Sequence, residues 1–352
     1  MKEEYSPYKI VHHLDKIQAL KDGIQPVPLQ VQIVPSNICN QRCSFCAYRM
    51  KDYPSNQRFI EKDILSYEKI LECLDDFKAM GVKAVQYTGG GESLCHPKIK
   101  DIFKGTLGRK LDLALVSNGQ MLDKETYEIL GGATWVRISV DSSSKQMYGM
   151  IRNVSDNVFN KVLYNIKQLV RHKKENTIGI GFVVQKENYK GIFVAANMFK
   201  DMGVDNFRIS AAFNAMGYEY FKDFEKEAKD LSQKAELLTD DNFTVFNLFD
   251  DRIKDMFDDI QNYKFCPTKD LLTYIGANYN VYTCCTLAYN DKGYVGSIKD
   301  KSFADVWFGL DKVNKFHNHN PSIHCNHSCM YKNKNNFINY CINNNPKHIN
   351  FI

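Results

Sequence analysis

Apolar and polar positions follow two rhythms along the first two thirds of this chain. Six short runs are rich in Val, Ile and Leu: LQVQIV (29–34), VKAVQYT (82–88), LDLALVS (111–117), TWVRISV (134–140), TIGIGFVV (177–184) and NFRIS (206–210). Near-continuous content of this kind fits strands buried on both faces. Between them lie helix-length stretches such as EKDILSYEKILECLDDFKAM (61–80) and NVFNKVLYNIKQLVRHK (157–173), apolar at three- and four-residue spacing. Strand alternating with helix predicts a parallel sheet with right-handed crossovers, six βα units forming an open or partial barrel.

After residue 215 the rhythm changes. YEYFKDFEKEAKDLSQKAELL (218–238) is a charged helical stretch suited to linking two domains, and from Lys264 onward cysteines return among irregular Asn- and Lys-rich sequence. The expected layout is an N-terminal extension (1–29), an α/β core (30–215), a helical linker (216–262) and a small α+β C-terminal domain (263–352). The tail from Tyr331 is biased in composition, which an AT-rich genome explains as well as function does.

The chain has 352 residues, 44% apolar and 25% charged, so a sizeable core can be buried. A net charge of +5 is mild. The densest basic run, Arg171-His172-Lys173-Lys174, falls where a helix should end, and a solvated, dipole-favoured C-terminus explains it better than a nucleic-acid patch. No basic-then-apolar signal opens the chain, and no apolar stretch approaches the ~18 residues of a membrane span. A soluble cytoplasmic enzyme is the expectation. Eleven cysteines in that setting point to metal or catalysis rather than a disulfide framework.

Chemistry in such a fold gathers in loops at the C-terminal strand ends. Four marked loops lie there: the cysteine-bearing VPSNICNQRCSFCAYRM (34–50), GGGES (89–93), SNG (117–119) and DSSS (141–144). Cys39, Cys43 and Cys46 are spaced C-x3-C-x2-C, with no further Cys or His for about thirty residues. A structural zinc ion wants four protein ligands. A [4Fe–4S] cluster held by only three cysteines leaves one iron free for another molecule, which accounts for the number three.

C-x3-C-x-aromatic-C, with Phe45 as the aromatic, at the end of the first strand of a βα barrel resembles the radical S-adenosylmethionine (radical SAM) superfamily. The resemblance covers about residues 30 to 212. It implies a [4Fe–4S] cluster on Cys39, Cys43 and Cys46 whose free iron chelates SAM, and reductive cleavage to methionine and a 5′-deoxyadenosyl radical that abstracts a substrate hydrogen atom. Gly89, Gly90, Gly91 and Glu92 resemble the family's GGE motif, whose backbone and acid meet the SAM amino group. Ser117, Asn118 and Ser139 resemble positions that contact the methionyl and ribose parts of SAM. Arg152 matches a basic residue near its carboxylate. A flavodoxin- or ferredoxin-type reductant is implied.

Cys266, Cys284, Cys325 and Cys329 form a C-x17-C…C-x3-C layout in which CPTKDLLTYIGANYNVYTC reads as loop, strand, turn, strand. This resembles the twitch or SPASM auxiliary domain and implies a second [4Fe–4S] cluster on those four thiols. The Gly usual before the VY-x-C segment is replaced by Tyr279 or Asn280. Cys285 is an alternative to Cys284, Cys341 is a further candidate ligand, and zinc is the rival occupant because His317, His319, His324 and His327 crowd the last cysteine pair. Cys73 falls on an apolar helix face and reads as a small buried hydrophobe. Cys95 and Cys285 are candidate hydrogen-atom donors. The expected substrate is a small molecule (a sugar, aminocyclitol or nucleotide derivative) that is oxidised. The alternative is modification or epimerisation of a ribosomally made peptide.

Overall fold

In a computed structural model describing residues 3–50, 57–257, 261–325 and 329–343, the six β-rich runs are the first six strands. They are β1 (Gln30–Ile33), β2 (Ala84–Tyr87), β3 (Asp112–Ser117), β4 (Trp135–Ser139), β5 (Thr177–Val184) and β6 (Asn206–Ala211), paired in parallel in that order. The crossover helices start where local chemistry dictates. The helix Tyr67–Met80 begins at Ser66, whose side chain accepts from Lys69 N–H, so the five residues 61–65 before Ser66 are not helical as the periodicity suggested. It ends at Gly81 in the left-handed region. Its inner face, Ile70, Cys73, Leu74 and Phe77, is buried against the sheet.

The segment 216–262 is not the helical linker the sequence suggested. It supplies a helix (Glu225–Glu236) and a seventh parallel strand, β7 (Thr244–Asn247), which pairs with β6 and buries Val245 and Phe246. Four residues with only two buried side chains leave too short a pattern to stand out among charged neighbours.

The C-terminal hairpin forms as expected from β8 (Leu272–Ile275) and β9 (Asn280–Tyr282), with β10 (Tyr294–Ser297) antiparallel to β9. Tyr279 takes the left-handed turn position with φ of 64°. Its hydroxyl accepts from Ser66 N–H at 3.1 Å, a contact that a glycine there would lack. β8 also pairs in parallel with β1, so one ten-stranded sheet runs in the order β10-β9-β8-β1-β2-β3-β4-β5-β6-β7. Nor does the N-terminal segment stand free: Ile10 packs with Leu271 and Ile338 of the C-terminal segment in a small core of its own. Among the described residues no helix is long and apolar enough to cross a membrane.

Candidate active site

The four marked loops meet at one end of the sheet. The glycine run makes that possible. Gly89 has φ of 147°, and a Cβ there would lie 2.6 Å from the Val34 side chain. A Cβ on Gly91 would collide with the backbone of Asn37 and Ile38. The loop after β2 therefore lies backbone against backbone on the loop after β1, fixed by Glu92 N–H donating to Ile38 O at 2.9 Å.

Glu92 is 4% exposed and has its hydrogen-bonding capacity turned inward. Leu94 N–H at 3.1 Å and the Ser117 hydroxyl at 2.8 Å donate to Oε1, and Asn118 N–H donates to Oε2 at 2.7 Å. Burial pushes its pKa up, against the three donors that favour the carboxylate. The acid expected to meet a ligand's amino group also ties the β2 and β3 loops together. Ser117 is engaged in the same tie. The Asn118 side-chain amide donates to Asn40 Oδ1 at 2.7 Å and so reaches between Cys39 and Cys43. Ser139 ends β4 opposite Gly181, two residues along from Arg137 and on the same face.

Arg152 lies against the cysteine loop. It is 4% exposed, ion-paired to fully buried Asp141, and within 3.4 Å of Cys43 Sγ through Nη1. Its guanidinium also lies 5.5 Å from the Phe45 ring centroid. Burial opposes its charge, but Asp141 and Cys43 outweigh burial and hold its pKa above the ordinary value. The loop is further tied down by Arg42 N–H to Arg152 O and Ser44 N–H to Ile151 O. Asp141 was not singled out from the sequence; its place in the DSSS loop after β4 was the available signal.

Cys39, Cys43 and Cys46 form no disulfide and are half-buried, and burial raises the pKa of Cys39 and Cys46. In the C-terminal segment, Cys266, Cys284, Cys285 and Cys325 all sense the charge of Cys329. Burial, compounded by the neighbouring thiols, pushes Cys266 up to about 12 and Cys284 well above the ordinary range. Thiols gathered this way become thiolates only with cationic charge among them, so the donor set fits a metal group. Among the described residues no three Cys, His, Asp or Glu side chains converge tightly enough for a single metal ion. Cys285 is part of this group, 3.5 Å from the Tyr331 hydroxyl, while Cys341 stands apart with burial alone acting on its thiol. His319 Nε2 lies 3.4 Å from Cys325 Sγ and stacks on His324, and His327 is outside the described residues.

A cavity of about 880 Å³ occupies the barrel interior. Ala47 and Tyr48 of the cysteine loop, Thr88 and Gly89 line it, and so do Cys285, Cys329 and Tyr331. Cys95 does not; its thiol packs 3.6 Å from Met121 Sδ. Tyr48 and Tyr274, whose hydroxyls are 2.9 Å apart, bridge the two thiol regions along the cavity wall and were not picked out from the sequence.

A partial parallel barrel with three thiols in its first loop, closed by a segment gathering further thiols, defines a class of iron–sulfur radical enzyme. Residues 33–199 match the radical SAM superfamily, and residues 266–330 match SPASM, an iron–sulfur cluster-binding domain. The chain belongs to the radical SAM superfamily and carries a C-terminal SPASM-type auxiliary domain. A [4Fe–4S] cluster and SAM are the cofactors of the first domain, and a further iron–sulfur centre that of the second.

Among curated proteins the chain is 29% identical over 181 residues to the tungsten-containing aldehyde ferredoxin oxidoreductase cofactor-modifying protein of Pyrococcus furiosus, covering 49% of this chain and 48% of that protein. It is 31% identical over 186 residues to the GTP 3′,8-cyclase of Aquifex aeolicus, covering 50% and 55%. The chain thus spans about half the length of these relatives. In fold it is similar to Streptococcus suis SuiB bound to S-adenosylmethionine, with a TM-score of 0.65 at 17% identity over 88% of this chain and 73% of that one. It is also similar to anSMEcpe with bound AdoMet, with a TM-score of 0.60 at 16% identity over 84% of each chain.

Proposed function

We propose that this radical SAM enzyme acts on a small molecule held in the barrel lumen and oxidises it after hydrogen-atom abstraction. The observation that carries the reading is a cavity of about 880 Å³ lined both by Ala47 and Tyr48 of the cysteine loop and by Cys285 and Cys329 of the C-terminal segment. Its volume suits a metabolite-sized ligand. The curated relatives point the same way, since one is named for a nucleotide and another for a cofactor.

Cys39, Cys43 and Cys46 would hold three irons of the first cluster, and Cys266, Cys284, Cys325 and Cys329 those of the second. When bound, the first cluster with SAM supplies the one-electron cleavage to methionine and a 5′-deoxyadenosyl radical. A reductant of flavodoxin or ferredoxin type delivers the electron. The chain's own part is positional. Arg152 and Asn118 hold the cysteine loop, Glu92 locks the β2 loop to β3, and the strand interiors hold the substrate. Cys285, on the cavity wall beside Tyr331, is the better placed of the two candidate hydrogen-atom donors.

The test is turnover in deuterated water with anaerobically reconstituted protein, SAM and dithionite, screened against sugar, aminocyclitol and nucleotide derivatives. Oxidation leaves no solvent deuterium at the product carbon; a thiol that returns hydrogen delivers it. Consumption of a ribosomal precursor peptide, with no small molecule accelerating 5′-deoxyadenosine release, would replace this reading with the peptide one.

A further inference from the structure

The lumen is not electrically neutral. Two strands carry an arginine at matching places, W-V-R-I-S in β4 and N-F-R-I-S in β6, and both Arg137 and Arg208 line the cavity. A third, Arg252, projects from the helix Phe249–Phe257 and is 9% exposed. Among the described residues no carboxylate lies within ion-pair distance of Arg137 or Arg208; Arg137 donates only to the Tyr5 hydroxyl, at 3.4 Å. Arg252 is paired with Asp255 at 2.9 Å. The Nε atoms of Arg208 and Arg252 are buried without a hydrogen-bond partner.

Unpaired guanidiniums facing one another are costly. Burial, with Arg137 and Arg252 nearby, pushes Arg208 down to about 9, which still leaves it a cation at neutral pH. The remaining acids on the cavity, Glu4, Asp112 and Asp251, lie on exposed positions and take no part in an ion pair with these arginines. Across the lumen stands an amide wall. Gln30 and Gln32 both donate to Gln86 Oε1, at 2.7 and 3.3 Å, and Gln32 Oε1 is a buried acceptor with no partner. A cationic wall opposite an amide wall, each with unused hydrogen-bonding atoms, is built for a ligand that carries an anion at one end and donors at the other.

We propose that the lumen binds the phosphoryl group of a phosphorylated small molecule on Arg137, Arg208 and Arg252, with its hydroxyl or N–H groups toward Gln32. Two unpaired guanidiniums call for a dianion, whereas a single carboxylate would neutralise only one. Guanidiniums present the fork of donors that phosphate oxygens match. The phosphate end would thereby be anchored among the strands, and the rest of the molecule would extend toward the cysteine loop at Ala47 and Tyr48. The proposal rests on the lumen's being a small-molecule site, and it names the chemical class.

The test measures binding, not turnover, so it stands apart from any failure of the radical chemistry. Reconstituted holoprotein, without reductant, is titrated calorimetrically with ribose 5-phosphate, gluconate and ribose. Ribose 5-phosphate should bind at least tenfold more tightly than gluconate, and ribose should give no measurable heat. Arg208→Gln and Arg137→Gln should each weaken the phosphate at least tenfold. Arg208→Lys should stay within a few-fold of wild type, and the exposed Arg171→Gln should change nothing. Gluconate or ribose binding as well as ribose 5-phosphate would overturn the proposal, even if the variants fail to fold. So would unaltered phosphate binding in Arg208→Gln and Arg137→Gln.

Discussion

The two thiol regions of this protein are assembled in opposite ways. Cys39, Cys43 and Cys46 sit in one eight-residue loop, half-buried, and are held from outside by buried polar groups: Arg152 on Cys43, Asn118 on Asn40, Glu92 beneath them. Cys266, Cys284, Cys325 and Cys329 come from two segments about forty residues apart, and their neighbours are one another, Tyr263, Asn335 and Tyr331. The first geometry is local and needs the barrel only to orient it. The second exists only once β8, β9 and the C-terminal helix have packed. The first region is framed by buried polar and charged side chains of the barrel, and the second mainly by the burial of its own thiols.

The largest test of that contrast removes one region at a time. Wild type should bind about eight iron atoms per chain after anaerobic reconstitution, and the Cys39/Cys43/Cys46→Ala variant about four, on the reading of one four-iron cluster per region. That variant should release no 5′-deoxyadenosine. Cys325→Ala with Cys329→Ala should also stop near four iron, yet still cleave SAM, and should lose thermal stability that the first variant retains. Equal loss of stability in both would mean that the regions are not assembled differently.

Arg152 sharpens the comparison next. Arg152→Met takes from buried Asp141 its hydrogen-bonded counterion and leaves only the more distant Arg137, and breaking such a pair costs roughly 3–5 kcal/mol. The double variant Arg152→Met, Asp141→Leu should recover much of that loss in urea unfolding while still holding less iron in the first region. Recovery of both would make Arg152 a scaffold residue only.

What was legible in the sequence follows the same division. The six strands, the cysteine triplet and the glycine run are local patterns, and all are placed as read. Non-local features were not legible. β7 is too short to stand out, and nothing in LTYI says that β8 extends the sheet beside β1. Glu92 was read as a ligand contact, and its bonds to Leu94, Ser117 and Asn118 were not legible, because a motif tells which residue type recurs and not which way its oxygens point. The lumen arginines did leave a mark: a charged residue between apolar ones in two buried strands, at positions that the sheet alternation turns inward.

Glu92 provides a smaller effect in the first region. All three of its partners donate, so Glu92→Gln turns an amide NH2 toward an N–H or hydroxyl donor. A loss of about 1–3 kcal/mol in urea unfolding is expected, the scale of one buried unsatisfied polar group. SAM affinity should fall in step with stability. A variant with unchanged stability and weakened SAM binding would return the acid to the ligand-contact role.

The smallest prediction concerns the second region and is read through pH. Lys269 and Lys312 share the buried carboxylate of Asp270, at 2.8 and 3.5 Å, and Asp270 and Lys269 both act on Cys266. Lys312 is 1% exposed, with its ammonium 3.9 Å from the Trp307 ring centroid and 4.1 Å from that of Phe316. Burial pushes Lys312 down to about 7, more than Asp270 can restore with Lys269 competing for it. Between about pH 7 and the ordinary lysine range, the unfolded chain holds this proton and the folded chain does not. Stability therefore rises with pH across that window, and the gain is lost as pH falls through 7. From pH 7.5 to 9 the contribution is of the order of 1–2 kcal/mol, or a few degrees in unfolding temperature for a chain of this size. Lys312→Met should remove that slope, raising the unfolding temperature most at the acid end, while an exposed lysine such as Lys124→Met leaves the slope in place. A wild type and a Lys312→Met variant with parallel profiles would show that Lys312 keeps its proton in its aromatic cage, and the second region would then depend on buried charge as much as the first.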